Sequence, residues 1–239
     1  VLQTGATVIV ARCERKSWGR GYTLYLEELP VPESQSLEAT VALIHAAGGD
    51  ALFIACDVTR DAEVRQLHER LMAAYGRLDY AFNNAGIEIE QHRLAEGSEA
   101  EFDAIMGVNV KGVWLCMKYQ LPLLLAQGGG VIVNTASVAA YEGQLGQAAY
   151  AASKGGIVAL TLPVARELAR SGIRCMTIAP GIMETPMLLG MPAEVQDALN
   201  KMVPFPTRMG KPAEYAALVR HIAENAYLNG EVIRLDGAI

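Results

Sequence analysis

The sequence predicts an α/β fold in which a doubly wound parallel sheet carries helices on both faces. Two observations support this prediction. Short apolar runs alternate with longer segments of helical period, and the short runs contain few polar residues, as strands buried on both faces do. The chain has 239 residues, which fits an α/β domain of ordinary size. We therefore expect a single domain over residues 1–239.

The predicted helices and strands alternate along the chain. The capping-box pattern, Ser98 followed by Glu101, marks the start of the longest helix. The apolar periods predict a helix from Leu37 that stops before Gly48, a strand over 51–56, a helix ending at Gly76, a strand over 78–82, the long helix from Ser98, a strand over 131–133, a helix over 150–170, a strand over 174–179, a helix over 212–225 and a last strand over 232–235.

Composition excludes several functional classes. Hydrophobic residues make up 51% of the chain and charged residues 19%, a balance that excludes disorder for most of it. The net charge is −6, and lysines and arginines are scattered, which argues against a nucleic-acid or anionic-membrane partner. No uncharged apolar run reaches the roughly 18–20 residues that cross a bilayer. We therefore expect neither a nucleic acid nor a membrane as the partner.

Cysteine and histidine spacing argues against a disulfide framework and a metal site. The four cysteines form no C-x-x-C pair, and the four histidines lack ligand spacing. Reduced thiols are typical of a cytoplasmic protein, with the mitochondrial matrix as the alternative location. The sequence begins with Val1, so we expect its natural N-terminus to be incomplete.

Ligands of such sheets bind beyond the carboxyl ends of the strands. The residues at those positions are Asp57 with Val58, the turn 83–86, the segment 134–137 and the pair Pro180-Gly181. Several of them are small, which lets the backbone approach a ligand closely. The sequence therefore places a ligand crevice at this edge of the sheet.

Tyr150 and Lys154 are the chemical centre of the predicted site. They are four residues apart on a predicted helix and so share one face. A lysine ammonium favours the phenolate, lowering a tyrosine pKa that is normally about 10, and this gives a general acid/base. Ser137, at the end of a strand, can donate a hydrogen bond to a carbonyl oxygen. The pair alone also fits a surface tyrosine and a solvated lysine; the joint occurrence with Ser137 favours a site.

This combination resembles the short-chain dehydrogenase/reductase family over essentially the whole chain, which implies a Rossmann-like fold and NAD(P)-dependent oxidation of alcohols. The motifs that carry the resemblance are Asp57-Val58-Thr59, Asn83-Asn84-Ala85-Gly86, Asn109, Ser137, Tyr150-Ala-Ala-Ser-Lys154, Pro180-Gly181, Thr185 and Asn229-Gly230 with Leu235-Asp236-Gly237.

The resemblance implies a role for each matching residue. Tyr150 would exchange the proton, Lys154 would hold the nicotinamide ribose, Ser137 would orient the substrate carbonyl, and Asn109 would bind a water that relays protons. Asn109 also has a plainer interpretation, an asparagine that bonds to backbone. The implied cofactor contacts are Gly5, Glu28, Asp57, Val58, Asn83, Ala85, Gly86, Tyr150, Lys154, Pro180, Gly181 and Thr185. The resemblance further implies a small-molecule substrate, an acyl-CoA or another apolar alcohol or ketone, and a homotetramer.

Residues of about 130–239 resemble one subgroup, the type 2 3-hydroxyacyl-CoA dehydrogenases, which use NAD and in some members oxidise hydroxysteroids. The first half is less similar to that subgroup. A substrate loop over about 181–210 contains several methionines and leucines. Such side chains adapt to an apolar substrate, although ordinary packing of a helix explains them equally well.

The phosphate-binding loop departs from the family. The pattern T-G-x-x-x-G-x-G begins with Thr4-Gly5, but Ile9 and Ala11 occupy the next two glycine positions. In this alignment the second strand covers 22–27, and Glu28 at its end would bond the ribose hydroxyls and favour NAD over NADP. A rival alignment takes 5–11 as the second strand itself and loses the loop altogether.

Two other functions stay open at this point. The first is another alcohol or sugar dehydrogenase, or a 3-oxoacyl-carrier reductase, that uses NADP. The second is a non-catalytic binding protein that keeps the fold, because the glycine-rich loop is altered.

Overall fold

The computed structural model describes residues 7–12, 37–46, 48–89 and 92–239. Its strands are β1 Thr7–Arg12, β2 Asp50–Ala55, β3 Tyr80–Asn83, β4 Gly130–Thr135, β5 Ile173–Pro180 and β6 Val232–Leu235. Its helices are α1 Leu37–Ala46, α2 Asp61–Tyr75, α3 Glu99–Met106, α4 Val113–Gln127, α5 Ala148–Leu168, α6 Pro186–Leu189, α7 Ala193–Met202 and α8 Pro212–Glu224. A π-helical segment, Gly107–Gly112, joins α3 to α4, and 3-10 turns cover Val138–Ala140 and Ala169–Ser171.

Four strands form a parallel sheet in the order β3-β4-β5-β6. Side chains alternate between its two faces along each strand. On one face Ile132 and Cys175 pack in a cluster with residues of α4 and α5. On the other face Val133 and Met176 pack against α8. The prediction of an α/β fold with helices on both faces of a parallel sheet is confirmed.

β1 differs from the predicted arrangement. It pairs antiparallel with β2 in a separate two-stranded sheet, with Thr7 opposite Ala55 and Arg12 opposite Asp50. The preferred alignment, which placed this stretch in the phosphate loop and the helix after it, is wrong for Thr7–Arg12. The rival alignment is right that this run is a strand, because Thr-Val-Ile-Val is β-branched throughout and contains no glycine for a tight turn. It is wrong that the run is the second strand of the parallel sheet. Gly5, Glu28 and the strand predicted over 22–27 lie outside the described residues.

Helix ends follow the local sequence signals. Ser98 and Glu101 form a complete capping box at the start of α3, and Gly76 ends α2 in the left-handed conformation with φ 71°. The long helix predicted from Ser98 is not continuous. It is interrupted by the π-helical segment Gly107–Gly112, on which Asn109 lies.

α5 is the longest helix of the described chain. Together with the turn after it, over residues 148–171, it is apolar and long enough to cross a bilayer by length and composition alone. In this fold Ile157, Ala165 and Leu168 pack in the cluster beside β4 and β5. Packing against the sheet therefore accounts for the apolar face of the helix.

Candidate active site

Tyr150 and Lys154 lie in the first turns of α5, as predicted. The Lys154 Nζ is 5.6 Å from the centroid of the Tyr150 ring, and it donates a hydrogen bond to the Thr135 carbonyl at 3.1 Å. Only 4% of Lys154 is exposed. Burial lowers the pKa of Lys154 to about 8, because the charged ammonium loses its hydration. This lysine is therefore mostly protonated at neutral pH and loses its charge in the mildly alkaline range, well below an ordinary lysine.

The pKa of Tyr150 differs from the expectation that Lys154 lowers it. Burial raises the pKa of Tyr150 above its ordinary value. A side-chain hydrogen bond with Ser137 acts in the opposite direction, and the negative charge of Glu88 adds to the increase. The net shift of the Tyr150 pKa is upward, because burial destabilises the phenolate more than the hydrogen bond from Ser137 stabilises it.

Ser137 follows the carboxyl end of β4, where the sequence placed it. It precedes the 3-10 turn Val138–Ala140, and its hydroxyl accepts a hydrogen bond from the Ala139 backbone at 3.1 Å. The same side chain is hydrogen-bonded to Tyr150. Ser137, Tyr150 and Lys154 therefore lie in one group of side chains.

Asn109 is completely buried on the π-helical segment. Its Oδ1 accepts from the Ile87 backbone amide at 2.8 Å, and its Nδ2 donates to the Ile87 carbonyl and to the Ser153 hydroxyl, both at 2.9 Å. The Ser153 hydroxyl donates in turn to the Tyr150 carbonyl at 2.7 Å. The Asn109 side chain thus bonds to backbone, as the plainer interpretation expected, and it ties the loop after β3 to α5.

The turn 83–86 leaves the end of β3 and runs past Lys154. Asn83 is buried, and its amide bonds reciprocally to Gln120 of α4 and donates to Asn134 of β4 at 2.9 Å. A Cβ added to Gly86 would lie 3.2 Å from the Lys154 Nζ and 3.4 Å from the Asn109 Oδ1. The absence of a side chain at Gly86 therefore leaves room between the turn and the lysine. Ala85 packs with the apolar cluster that contains Val58.

Asp57 and Val58 follow β2, in the other sheet. The Asp57 Oδ1 accepts hydrogen bonds from the Thr59 backbone amide at 2.9 Å and from the Thr59 hydroxyl at 2.7 Å. Val58 is buried beneath the π-helical segment, where a Cβ added to Gly112 would lie 2.7 Å from the Val58 Cγ2. This close approach fixes the turn after β2 against Gly107–Gly112.

Pro180 ends β5, and the Gly181 amide donates to the Leu235 carbonyl at 3.0 Å. A Cβ added to Gly181 would lie 2.8 Å from the Asp236 Cα, so the two backbones approach as closely as only glycine permits. Thr185 is exposed and precedes α6, where its carbonyl accepts from the Leu189 amide at 2.9 Å. Gly5 and Glu28 lie outside the described residues, so their predicted contacts with the cofactor stay predictions.

Three residues that sequence reasoning missed hold the site together. Gln120 was detectable as a polar residue on an otherwise apolar helix, and Ser153 lies inside the Tyr150–Lys154 motif. Thr135 acts on Lys154 through its backbone carbonyl, for which the sequence carries no signal.

The buried ammonium of Lys154 lies beside Tyr150, the candidate acid/base, and beside the turn 83–86. One of the three Lys154 donors goes to Thr135, and the ammonium faces the space beside Gly86. The described residues contain no cluster of three or more His, Cys, Asp or Glu side chains that could hold a metal ion. The chemistry that this site supports is proton transfer at the Tyr150 hydroxyl.

Comparison with known proteins shows the family to which the chain belongs. A family model described as Enoyl-(Acyl carrier protein) reductase matches residues 20–238. The chain belongs to the short-chain dehydrogenase/reductase family. It is 42% identical to 3-hydroxyacyl-CoA dehydrogenase type-2 of Rattus norvegicus and 43% identical to that of Homo sapiens, each match covering 100% of this chain and 94% of the relative. It is 37% identical to 3-oxoacyl-[acyl-carrier-protein] reductase of Thermotoga maritima, over 77% of this chain and 74% of the relative. As a short-chain dehydrogenase/reductase, the protein is an oxidoreductase.

Proposed function

We propose that this protein interconverts 3-hydroxyacyl-CoA and 3-oxoacyl-CoA with NAD as its cofactor. The observation that carries the proposal is the whole-chain similarity to relatives named 3-hydroxyacyl-CoA dehydrogenase type-2. The similarity also covers the first half of the chain, whose motifs resemble the subgroup less.

The proton passes through Tyr150. In the oxidation direction its phenolate oxygen accepts the proton of the substrate hydroxyl, and in the reduction direction its hydroxyl returns that proton to the carbonyl oxygen. Ser137 donates a hydrogen bond to the same substrate oxygen as charge develops on it. NAD, when bound, would supply hydride transfer to and from the carbinol carbon of the substrate. Asn109 keeps the loop after β3 in place through its hydrogen bonds to the Ile87 backbone. A water bound beside Asn109 would relay the proton.

Residues along the carboxyl ends of the strands would hold the cofactor. Lys154 would bond the nicotinamide ribose, since its ammonium is buried beside Gly86. Asp57 and Val58 would face the adenine, and Glu28 would favour NAD over NADP by bonding the ribose hydroxyls. The remaining contacts would come from Gly5, Asn83, Ala85, Gly86, Pro180, Gly181 and Thr185.

The segment 181–210 would close over the acyl chain. It contains α6 and α7. A backbone β-bridge between Met183 and Gly210 joins the two ends of the segment. Its apolar side chains include Met183, Leu188, Leu189 and Met191. Methionine and leucine side chains can follow acyl chains of different lengths, or the rings of a hydroxysteroid.

The helices α4 and α5 would mediate a homotetramer. Each presents large apolar side chains to solvent, namely Trp114 and Leu125 on α4 and Leu162 on α5. Burial of such side chains between subunits removes apolar surface from water.

The substrate proposal is tested by mixing the protein with NADH and acetoacetyl-CoA and following NADH absorbance. We expect acetoacetyl-CoA-dependent loss of absorbance with NADH and much slower loss with NADPH. Turnover of acyl-carrier substrates with NADPH would support the function named for the Thermotoga maritima relative instead. Activity on sugars or diols alone would overturn the acyl-CoA assignment.

The proposed acid/base is tested by Tyr150→Phe. We expect this variant to lose turnover by at least about 100-fold, the lower range for general acid/base catalysis. NADH binding, followed by quenching of intrinsic fluorescence, should stay within a few-fold of the wild type. Tyr227→Phe is the matched control, because Tyr227 is 99% exposed. Wild-type turnover in Tyr150→Phe would assign the proton transfer to another group.

A further inference from the structure

Glu88 lies on the loop after β3, next to the Ile87 backbone that Asn109 holds. Its Oε1 accepts a hydrogen bond from the Gln147 side-chain amide at 2.6 Å. Gln147 is the N-cap residue directly before α5, and its carbonyl accepts a hydrogen bond from the Ala151 amide at 2.8 Å in the first helical turn. Glu88 therefore contacts the start of the helix that carries Tyr150, three residues further along.

The loop after β3 is tied to α5 at two successive residues. Ile87 is connected through the side chain of Asn109 to Ser153, and Ser153 bonds the Tyr150 carbonyl. Glu88 is connected through Gln147. The first connection is buried and uses neutral groups, whereas the second is exposed and includes a carboxylate. A carboxylate is not needed to accept one amide hydrogen bond, since a neutral carbonyl can do the same.

We propose that Glu88 is a positioning residue of the active site: it fixes the start of α5 through Gln147 and places a negative charge near Tyr150, so that proton transfer at Tyr150 depends on that charge. This inference rests on the role of Tyr150 in the proposed function. It names a residue outside the Ser137, Asn109, Tyr150 and Lys154 group.

Among the residues that the structure describes, three groups act on the Tyr150 side chain. Lys154 lies one turn along the same helix, Ser137 approaches from the end of β4, and Glu88 approaches from the loop after β3. Glu142, on the segment between Ser137 and Tyr150, is paired instead with Arg234 at 2.9 Å. The Glu88 charge raises the pKa of Tyr150, whereas the Ser137 hydrogen bond lowers it. A negative charge opposes formation of the phenolate, which is the form that accepts a proton during alcohol oxidation.

Two substitutions separate the charge of Glu88 from its hydrogen bond. Glu88→Gln keeps an oxygen that can accept from Gln147 and removes the charge, and Glu88→Ala removes both. For alcohol oxidation, we expect kcat/KM on the acidic limb of the pH profile to rise roughly two- to five-fold in Glu88→Gln, the range for an exposed charge interaction. Glu88→Ala should show the same displacement to lower pH and a several-fold lower kcat at the plateau, with the KM for NAD unchanged. Glu96→Gln is the control. It removes a charge from an exposed glutamate shortly before α3 and should leave the pH profile unchanged.

A second measurement does not depend on turnover. The absorbance change at the tyrosinate wavelength, taken as wild type minus Tyr150→Phe, reports ionisation of Tyr150 alone. The same difference in a Glu88→Gln background should move to lower pH. If both the phenol titration and the rate profile of Glu88→Gln coincide with those of the wild type, the inference is overturned. If the wild type fails to turn over acetoacetyl-CoA but the phenol titration moves, the substrate proposal fails and Glu88 keeps its assignment.

Discussion

The side chains of Asn83 and Gln120 form a reciprocal pair of hydrogen bonds in the core. The Asn83 Nδ2 donates to the Gln120 Oε1 at 3.2 Å, and the Gln120 Nε2 donates to the Asn83 Oδ1 at 2.8 Å. The Asn83 Nδ2 also donates to Asn134, its cross-strand neighbour on β4. Since Asn83 begins the turn 83–86, α4 holds the start of that turn through Gln120.

Gln120→Leu should destabilise the protein by about 1–3 kcal/mol, the cost of leaving a buried polar group without a partner. Urea unfolding measures this difference. Gln66→Leu makes the same change at an exposed position of α2 and should alter stability by less than about 0.5 kcal/mol. Equal stabilities for the two variants would show that the Asn83 amide loses nothing when Gln120 is removed.

Ser153→Ala should lower kcat several-fold and reduce stability by about 1 kcal/mol. The substitution removes the acceptor of the Asn109 Nδ2 and the donor to the Tyr150 carbonyl, so the loop after β3 loses one of its two connections to α5. Steady-state kinetics and thermal unfolding measure the two effects. Ser171→Ala, at the end of the 3-10 turn after α5, is the control. A variant with wild-type kcat and lower stability would limit Ser153 to a structural role.

Lys154→Met should change how stability depends on pH. The folded-state pKa of Lys154, about 8, is below its ordinary value of 10.5, so the unfolded state binds more protons between these two values. Stability of the wild type should therefore rise relative to Lys154→Met between about pH 8 and 10.5, by up to roughly 3 kcal/mol. Below about pH 8 the cost of burying the ammonium is fully present. Urea unfolding of both proteins at pH 7.5 and 10 gives the difference, and a difference that is constant with pH contradicts the assignment.

Gly181→Ala should destabilise the protein by about 1–3 kcal/mol, because the new Cβ would lie 2.8 Å from the Asp236 Cα and Cβ. Gly155→Ala is the matched control in the middle of α5, where a Cβ meets no atom within 4 Å. Removing glycine from a helix interior should stabilise the protein by about 0.5–1 kcal/mol. Thermal unfolding should therefore move in opposite directions for the two variants. Unchanged or higher stability of Gly181→Ala would mean that the segments after β5 and β6 move apart to accept the methyl group.

The sequence predicted the fold well wherever a single physical preference decides the local structure. Apolar runs placed β2 to β6 within about two residues of their observed bounds, and the Ser98 capping box marked the start of α3. The π-helical segment could not be predicted, because Gly107–Gly112 has the same apolar period as an ordinary helix. Thr7–Arg12 was misassigned because a partial match to a glycine pattern was preferred over the β-branched composition of the run.

The candidate site was predictable to a different extent for different residues. The spacing of Tyr150 and Lys154 placed both side chains on one helix face, and the position of Ser137 at the end of a strand brought it to the same group. The direction of the Tyr150 pKa was not predictable from spacing. It depends on burial, which is set by residues distant in the sequence.

Thr135 serves both helical layers of the protein at once. Its carbonyl accepts from the Lys154 Nζ on the α5 side of the sheet, while its hydroxyl forms a 2.8 Å hydrogen bond with the hydroxyl of Tyr215, a residue of α8 on the opposite side. One residue at the end of β4 therefore connects Tyr215 of α8 to the Lys154 ammonium of α5. The position of the Lys154 ammonium therefore depends on where β4 ends in the parallel sheet as well as on the contacts of α5.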